Sequence, residues 1–166
     1  SDGSISLNLV YGDEFILHGK PALVLSIRDI GQQREQELLI KESQERLSQA
    51  MEAAQLGFWD MQLNPLHFFA SARGAALHGL PEQPLHGSMR QYMQHVTPAD
   101  QQRIEQFFKD FISGKLTELQ TIYSIQLPDG QLRYLESNSK LYRTADGQQQ
   151  RVTGIVRDIT ERIEHE

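Results

Sequence analysis

The stretch Gly154-Ile155-Val156-Arg157-Asp158-Ile159-Thr160-Glu161-Arg162 constrains the chain most, because a β-favouring apolar run gives way at Asp158 to a charged run that favours helix. The event has an echo. Ser26-Ile27-Arg28-Asp29-Ile30-Gly31-Gln32-Gln33 repeats it near the other end: apolar strand, Arg-Asp-Ile, then a polar helical run. Asp2-Gly3-Ser4 precedes the first copy as Asp129-Gly130-Gln131 precedes the second, each a turn signal opening a strand-rich segment. From Asp29 to Asp158 the offset is about 129 residues, which is the size of a domain and not of a solenoid repeat. The chain reads as the end of one domain followed by a complete second copy. With no initiator Met, it is expected to be a segment of a longer protein.

The junction admits two readings. Where a strand gives way to a helix, the first helical N–H groups lack partners, and an Asp or Thr side chain can accept from them for about 1 kcal/mol each. Asp158 and Thr160 are both placed for this, so the plain reading is two ordinary helix caps. The whole string at a strand exit, present at both domain ends and followed by further charges, points instead to a coupling between strand and outgoing helix. Asp29 holds the equivalent place in the first copy.

Residues 4 to 28 predict a two-stranded hairpin. Ile5, Leu7, Leu9 and Tyr11 alternate with polar neighbours, His18-Gly19-Lys20-Pro21 supplies the turn, and Leu23, Leu25 and Ile27 alternate again. A hairpin alone is marginal in water and leaves two open edges, so this one is expected to rest on the second domain or to pair with a second chain. Residues 32 to 55 lack Gly and Pro and predict a helix roughly 35 Å long. Ile40, Leu47 and Ala54 recur every seven residues, with Ser43 and Ala50 between them. That narrow stripe suits a parallel dimer seam or contact with the helix's own domain.

A complete domain follows from 56 to 160. Gly57 is expected to stop the long helix, and short strands follow at 56 to 61 and 66 to 69 around an Asn64-Pro65 turn. Ser71 is placed to cap a brief helix ending near His78-Gly79, Pro81 and Pro84 bracket a loop reaching Gly87, and Ser88 caps a helix through His95. Thr97-Pro98-Ala99-Asp100 opens a helix over 101 to 113 with Ile104, Phe107, Phe108 and Phe111 on one face, and Gly114 ends it. Three strands, at 119 to 127, 132 to 143 and 151 to 157, are joined by Pro128-Asp129-Gly130 and Ala145-Asp146-Gly147. The expected class is α+β: an antiparallel five-stranded sheet with helices on one face, leading into an output helix from 161 to 166.

These elements and strings together resemble the PAS domain family, sensor and dimerisation modules of bacterial signalling chains. Residues 56 to 61 look like its Leu-Gly-x-Trp opening, and Thr97-Pro98-Ala99-Asp100 resembles its His-Pro-x-Asp turn with Thr97 in place of His. Tyr123 to Gly130 resembles its Tyr-x-Ile-x-x-x-Asp-Gly hairpin, and Gly154 to Thr160 its closing Asp-Ile-Thr strand. Residues 1 to 31 then correspond to the end of a preceding PAS domain. The resemblance departs at His67-Phe68-Phe69-Ala70-Ser71 and at residues 81 to 87, where ligands would be selected.

The resemblance implies a cavity between helices and sheet, and period-two alternation places Trp59, Tyr123, Ile125, Leu135 and Val156 at its wall. Ser137 and Ser139 either leave room there or mark an exposed strand. Haem-binding PAS domains use a helix histidine as axial ligand, and His78 and His95 fall on predicted helices. None of His67, His78, His86 and His95 has His-x-x-x-His spacing, so solvated or capping histidines are expected. The absence of cysteine excludes disulfides, thiolate metal sites and the photoreactive flavin adduct. A non-covalent flavin stacked on Trp59 is the other cofactor the family allows, against Trp59 as a plain core aromatic.

No nucleophile, acid/base pair or phosphate loop occurs, so catalysis is not expected of this chain. A net charge of −6 argues against nucleic acid or an anionic membrane as partner. No apolar run approaches the roughly 20 residues that span a bilayer, and a cytoplasmic location is expected. The expected function is a sensory, homodimerising module that relays ligand or partner state to an output domain in cis. That output is a diguanylate cyclase/phosphodiesterase pair or a histidine kinase. The alternative is a ligand-free dimerising spacer.

Overall fold

The structure, a computed structural model, describes residues 8–148 and 150–166. The turn Asp2-Gly3-Ser4 and the strand positions Ile5 and Leu7 therefore lie outside the described residues. The chain divides into two compact units, the first reaching Ala50 and the second covering Met51–Glu166.

In the first unit, β1 (Asn8–Leu17) and β2 (Lys20–Asp29) form an antiparallel hairpin in the register Leu17↔Lys20 to Asn8↔Asp29. His18 and Gly19 close it with φ of 52° and 76°, the paired positive values of a tight turn whose twist matches that of the strands. Val10, Ile16, Leu23 and Ile27 are all at least half exposed. Helix α1 (Gly31–Ala53) follows, and nothing along it is buried: Ile40 and Leu47 of the sequence stripe are 59% and 63% exposed.

The end of α1 corrects one expectation. Gln55, with φ of 56°, takes the left-handed position; its N–H donates to Glu52 O at 3.0 Å and that of Leu56 to Met51 O at 2.8 Å. This paired closure ends the helix at Ala53, four residues before Gly57. Gly57 lies inside the next strand instead, where a Cβ would stand 2.6 Å from Gly74 Cα. The glycine lets a strand and a helix approach closely.

The second unit is a six-stranded antiparallel sheet in the order β5-β4-β3-β8-β7-β6. Its strands are β3 (Gly57–Leu63), β4 (Leu66–Ala70), β5 (Leu85–Gly87), β6 (Glu118–Gln126), β7 (Leu132–Arg143) and β8 (Gln150–Asp158). The sixth strand was not expected: residues 85 to 87, read as loop, pair with β4 from Phe68↔Gly87 to Ala70↔Leu85. Helices α2 (Ala72–Leu77), α3 (Met89–Tyr92) and α4 (Pro98–Ile112) connect the strands, and α5 (Thr160–Glu164) leaves β8.

The caps follow the sequence. Ser71 Oγ accepts from Gly74 N–H at 3.1 Å and from Phe58 N–H at 2.9 Å, so one hydroxyl fixes α2 against β3. Ser88 and Gln91 form a reciprocal capping box on α3, which is shorter than expected and stops at Tyr92. Pro98 opens α4, and Asp100 accepts from the N–H and hydroxyl of Ser124, both at 2.8 Å, tying α4 to β6. The core between helices and sheet holds Trp59, Met61, Phe68, Tyr92, Ile104 and Phe111 against Tyr123, Ile125, Leu135, Val152 and Val156.

Candidate functional site

Two pleated neighbours on β7 face opposite ways. Leu135, Ser137, Ser139 and Leu141 point into the core, while Glu136 lies between them on the other face. Ser137 and Ser139 are buried, at 4% and 9% exposure, which decides for the interior reading of the two serines. They line a cavity of about 30 Å³ with Trp59, Tyr92, Ile104, Phe108, Phe111 and Tyr123. That space suits one or two waters. Of the residues expected to wall it, Trp59 and Tyr123 do so; Ile125, Leu135 and Val156 are fully buried in the surrounding core and do not line it. Trp59 is the core aromatic the plain reading expected, packed on the rings of Phe68 at 6.3 Å and Phe108 at 5.8 Å.

Among the histidines, His67 and His86 are exposed and His95 is half-buried. His78 is fully buried at the C-terminal end of α2. A carbonyl only accepts, so the 2.8 Å contact with Gly74 O places the ring proton on Nδ1, and Nε2 then accepts from the Tyr123 hydroxyl, also at 2.8 Å. Tyr92 packs on the imidazole with 3.8 Å between ring centroids. Burial drives the His78 pKa down to about 3, against the Gly74 hydrogen bond and helped by the charges of Arg133 and His95. It is a neutral strut, held on both nitrogens. No group of three or more metal-ligating side chains is present among the described residues.

The strand exit is built around Arg133. Its Nη1 donates to Ala76 O at 3.0 Å and Leu77 O at 2.7 Å, meeting carbonyls at the end of α2, and its Nε lies 3.4 Å from Asp158 Oδ2. Asp158 Oδ1 accepts from Thr160 N–H at 2.9 Å and from the Thr160 hydroxyl at 2.5 Å. Thr160 Oγ1 in turn accepts from Tyr134 N–H at 3.0 Å. The capping expectation holds for Asp158, which accepts from the first N–H of α5 although Ile159 occupies the N-cap position, and needs correction for Thr160, which instead ties the first turn of α5 back to β7. Asp29 makes the matching local contact in the first unit, accepting from Gly31 N–H at 2.9 Å.

Sequence reasoning missed Glu136. Its side chain is 3% exposed beneath Arg157, directly across on β8, and Arg162 of α5 at 3.8 Å. Arg157 and Gln120 donate to it, the latter at 2.8 Å. The Arg157 hydrogen bond, opposed by burial and aided by Gln120 and by the charges of Arg157 and Arg162, holds the carboxyl below the usual carboxylate range. The outgoing helix is thus anchored to both faces of β7.

A family model described as PAS fold matches residues 67–156, more than half of the chain. The chain belongs to the PAS fold family. Over 72% of its length this PAS domain superposes on a sensory box histidine kinase/response regulator from Burkholderia thailandensis, covering 88% of that chain, with a TM-score of 0.56 at 18% identity. Over 67% it superposes on the N-terminal domain of a diguanylate cyclase with PAS/PAC sensor from Marinobacter aquaeolei, covering 99% of it, with a TM-score of 0.55 at 20% identity. In sequence it is 25% identical over 138 residues to the probable diguanylate cyclase DgcE of Escherichia coli. That match takes in 83% of this chain but spans only 12% of the relative's length. PAS domains are sensory and not catalytic. No helix among the described residues is long and apolar enough to cross a membrane.

Proposed function

We propose that this PAS domain is a sensory, homodimerising relay of a cytoplasmic bacterial signalling chain, with a preceding PAS domain ending at the hairpin and an output domain beyond Glu166. The output is a diguanylate cyclase/phosphodiesterase pair, of which the cyclase is what the Escherichia coli relative is named for, or a histidine kinase. The observation that carries the relay is the double anchoring of α5. Asp158 and Thr160 hold it through Arg133 and Tyr134, and Glu136 holds it through Arg162. The same strand presents Ser137 and Ser139 to the interior cavity. A shift of that wall moves α5 with it, and a helix pair in a dimer turns the shift into a change of register or angle. The exposed hairpin and the Ile40/Leu47 stripe supply the dimer surface.

The test is Asp158→Ala in the full-length parent protein. The change removes a half-exposed ion pair and two local hydrogen bonds, a loss of about 1 kcal/mol that leaves the domain folded. Output should lose its response to the input while basal activity persists. An undiminished response would sink the relay. The alternative, a ligand-free dimerising spacer, is favoured by one feature: an interior of about 30 Å³ is nearly filled by its own side chains. It predicts that output never responds to any small molecule.

A further inference from the structure

A second concavity lies outside the core. It encloses about 550 Å³ between α3, α4 and the β3–β4 hairpin, walled by Met61, Leu66, Met89, Met93, Ile104 and Phe108 and ending at Ile112. Leu66 and Ile112, at 74% and 56% exposure, carry its apolar lining out to the surface. Three of the chain's four methionines line it. Their unbranched, rotatable side chains reshape readily around an apolar guest. The volume is that of a small-ligand site.

The rim decides the chemistry of the guest. Arg90 and Lys109 stand at the groove, and neither is ion-paired among the described residues; one carboxylate, Glu105, faces them. On a chain of net charge −6, a local excess of cation beside a bare apolar trough selects a molecule that is aliphatic at one end and anionic at the other. Met89, Met93, Ile104 and Phe108 are shared with the inner cavity, so one layer of side chains separates the groove from Trp59.

We propose that this groove binds a linear aliphatic carboxylate, its chain lying on the methionines and its head group held at the rim by Arg90 and Lys109. Occupancy pushes on Phe108, whose ring meets Trp59 at 5.8 Å. The proposal is independent of the relay reading, because binding is read at Trp59 and not at an output domain.

The test titrates the 166-residue chain with dodecanoate below its micellar concentration, following Trp59 emission and the native mass. Saturable one-to-one binding is expected, weakened at least ten-fold in Arg90→Glu/Lys109→Glu and in Ile112→Asp, all exposed positions whose variants stay folded. Dodecyltrimethylammonium should give no saturable change. An absent or non-saturable response overturns the proposal. So does unchanged affinity in the charge-reversed variant. Equal binding of both amphiphiles would make the groove a general apolar docking face and overturn the carboxylate as its guest.

Discussion

Glu136→Gln is the perturbation that tests most directly whether the outgoing helix is held from the outer face of the sheet. The carboxylate is almost wholly covered, yet its two arginines are each 49% exposed. Replacing it leaves Arg157 and Arg162 free to reach water, so the loss is that of charged hydrogen bonds and not of a stranded buried ion, about 2 kcal/mol. For a unit of this size that lowers the melting temperature on the order of 5–10 °C. The pH dependence gives a second, sharper signature. The folded carboxyl is held below its ordinary pKa, so its contribution is complete above the unfolded value near 4.3 and is lost as pH falls through the lower folded value. Glutamine does not titrate. The gap between wild type and variant should stand at about 2 kcal/mol at pH 7 and narrow progressively as pH falls below about 4. Urea unfolding followed by Trp59, the single tryptophan, measures both. Equal stability at pH 7, or a gap that does not narrow as pH falls below about 4, would refute the reasoning.

Two further outcomes follow from the packing. His78, neutral in the fold with its pKa pushed down to about 3, takes up its proton only in the unfolded chain between pH 6.5 and 3. Stability therefore falls as pH drops through that window, by up to about 1.4 kcal/mol per pH unit. NMR titration of the His78 ring should show no midpoint above pH 5, and one near 6.5 would count against the buried strut. Gly57→Ala drives a Cβ to 2.6 Å and 2.9 Å from Gly74 backbone atoms, which cannot rotate away. It should cost about 2–3 kcal/mol of overpacking, and an unchanged urea midpoint would show that α2 yields.

How much of this was legible depends on how local each cause is. The turns at Asp129-Gly130 and Asp146-Gly147, the Ser71 and Ser88 caps and the Asp158–Thr160 contact each include a hydrogen bond within a few residues and appear where the sequence places them, whereas the ties of the strand exit to Arg133 and Tyr134 are long-range. Gln55 defeated the helix-stop reading because any residue can accept a left-handed cap when two backbone hydrogen bonds reward it, and Gly57 offered the more obvious signal. His78 was out of reach: its neutrality follows from burial, and the rings packed and bonded to it come from Tyr92, on a four-residue helix, and from Tyr123, which lies 45 residues away. Glu136 was closer to legible. Within Glu136-Ser137-Asn138-Ser139-Lys140 it reads as solvated, yet counting outward from the Ala145-Asp146-Gly147 turn sets it opposite Arg157, a cross-strand pair of opposite charge.

The size of the interior is settled by a small set of mismatched side chains. On adjacent strands, Ser139 stands opposite Gly154, and Trp59 pairs with Gly154 from the other side. A Cβ at Gly154 would lie 2.1 Å from the indole nitrogen, so the indole occupies the space that the glycine leaves open. The serines contribute little volume, and what remains is the 30 Å³ void. Trp59 and the Phe108 ring packed against it thus occupy much of the space that a larger molecule in the core would need. The methionine groove lies behind that same ring, and β7, the strand that anchors α5, forms the far wall. If the proposed groove guest and the proposed relay both hold, the Phe108–Trp59 contact is the link between them. Phe108→Ala should enlarge the void, soften that link and leave the α5 anchors at Arg133 and Glu136 in place.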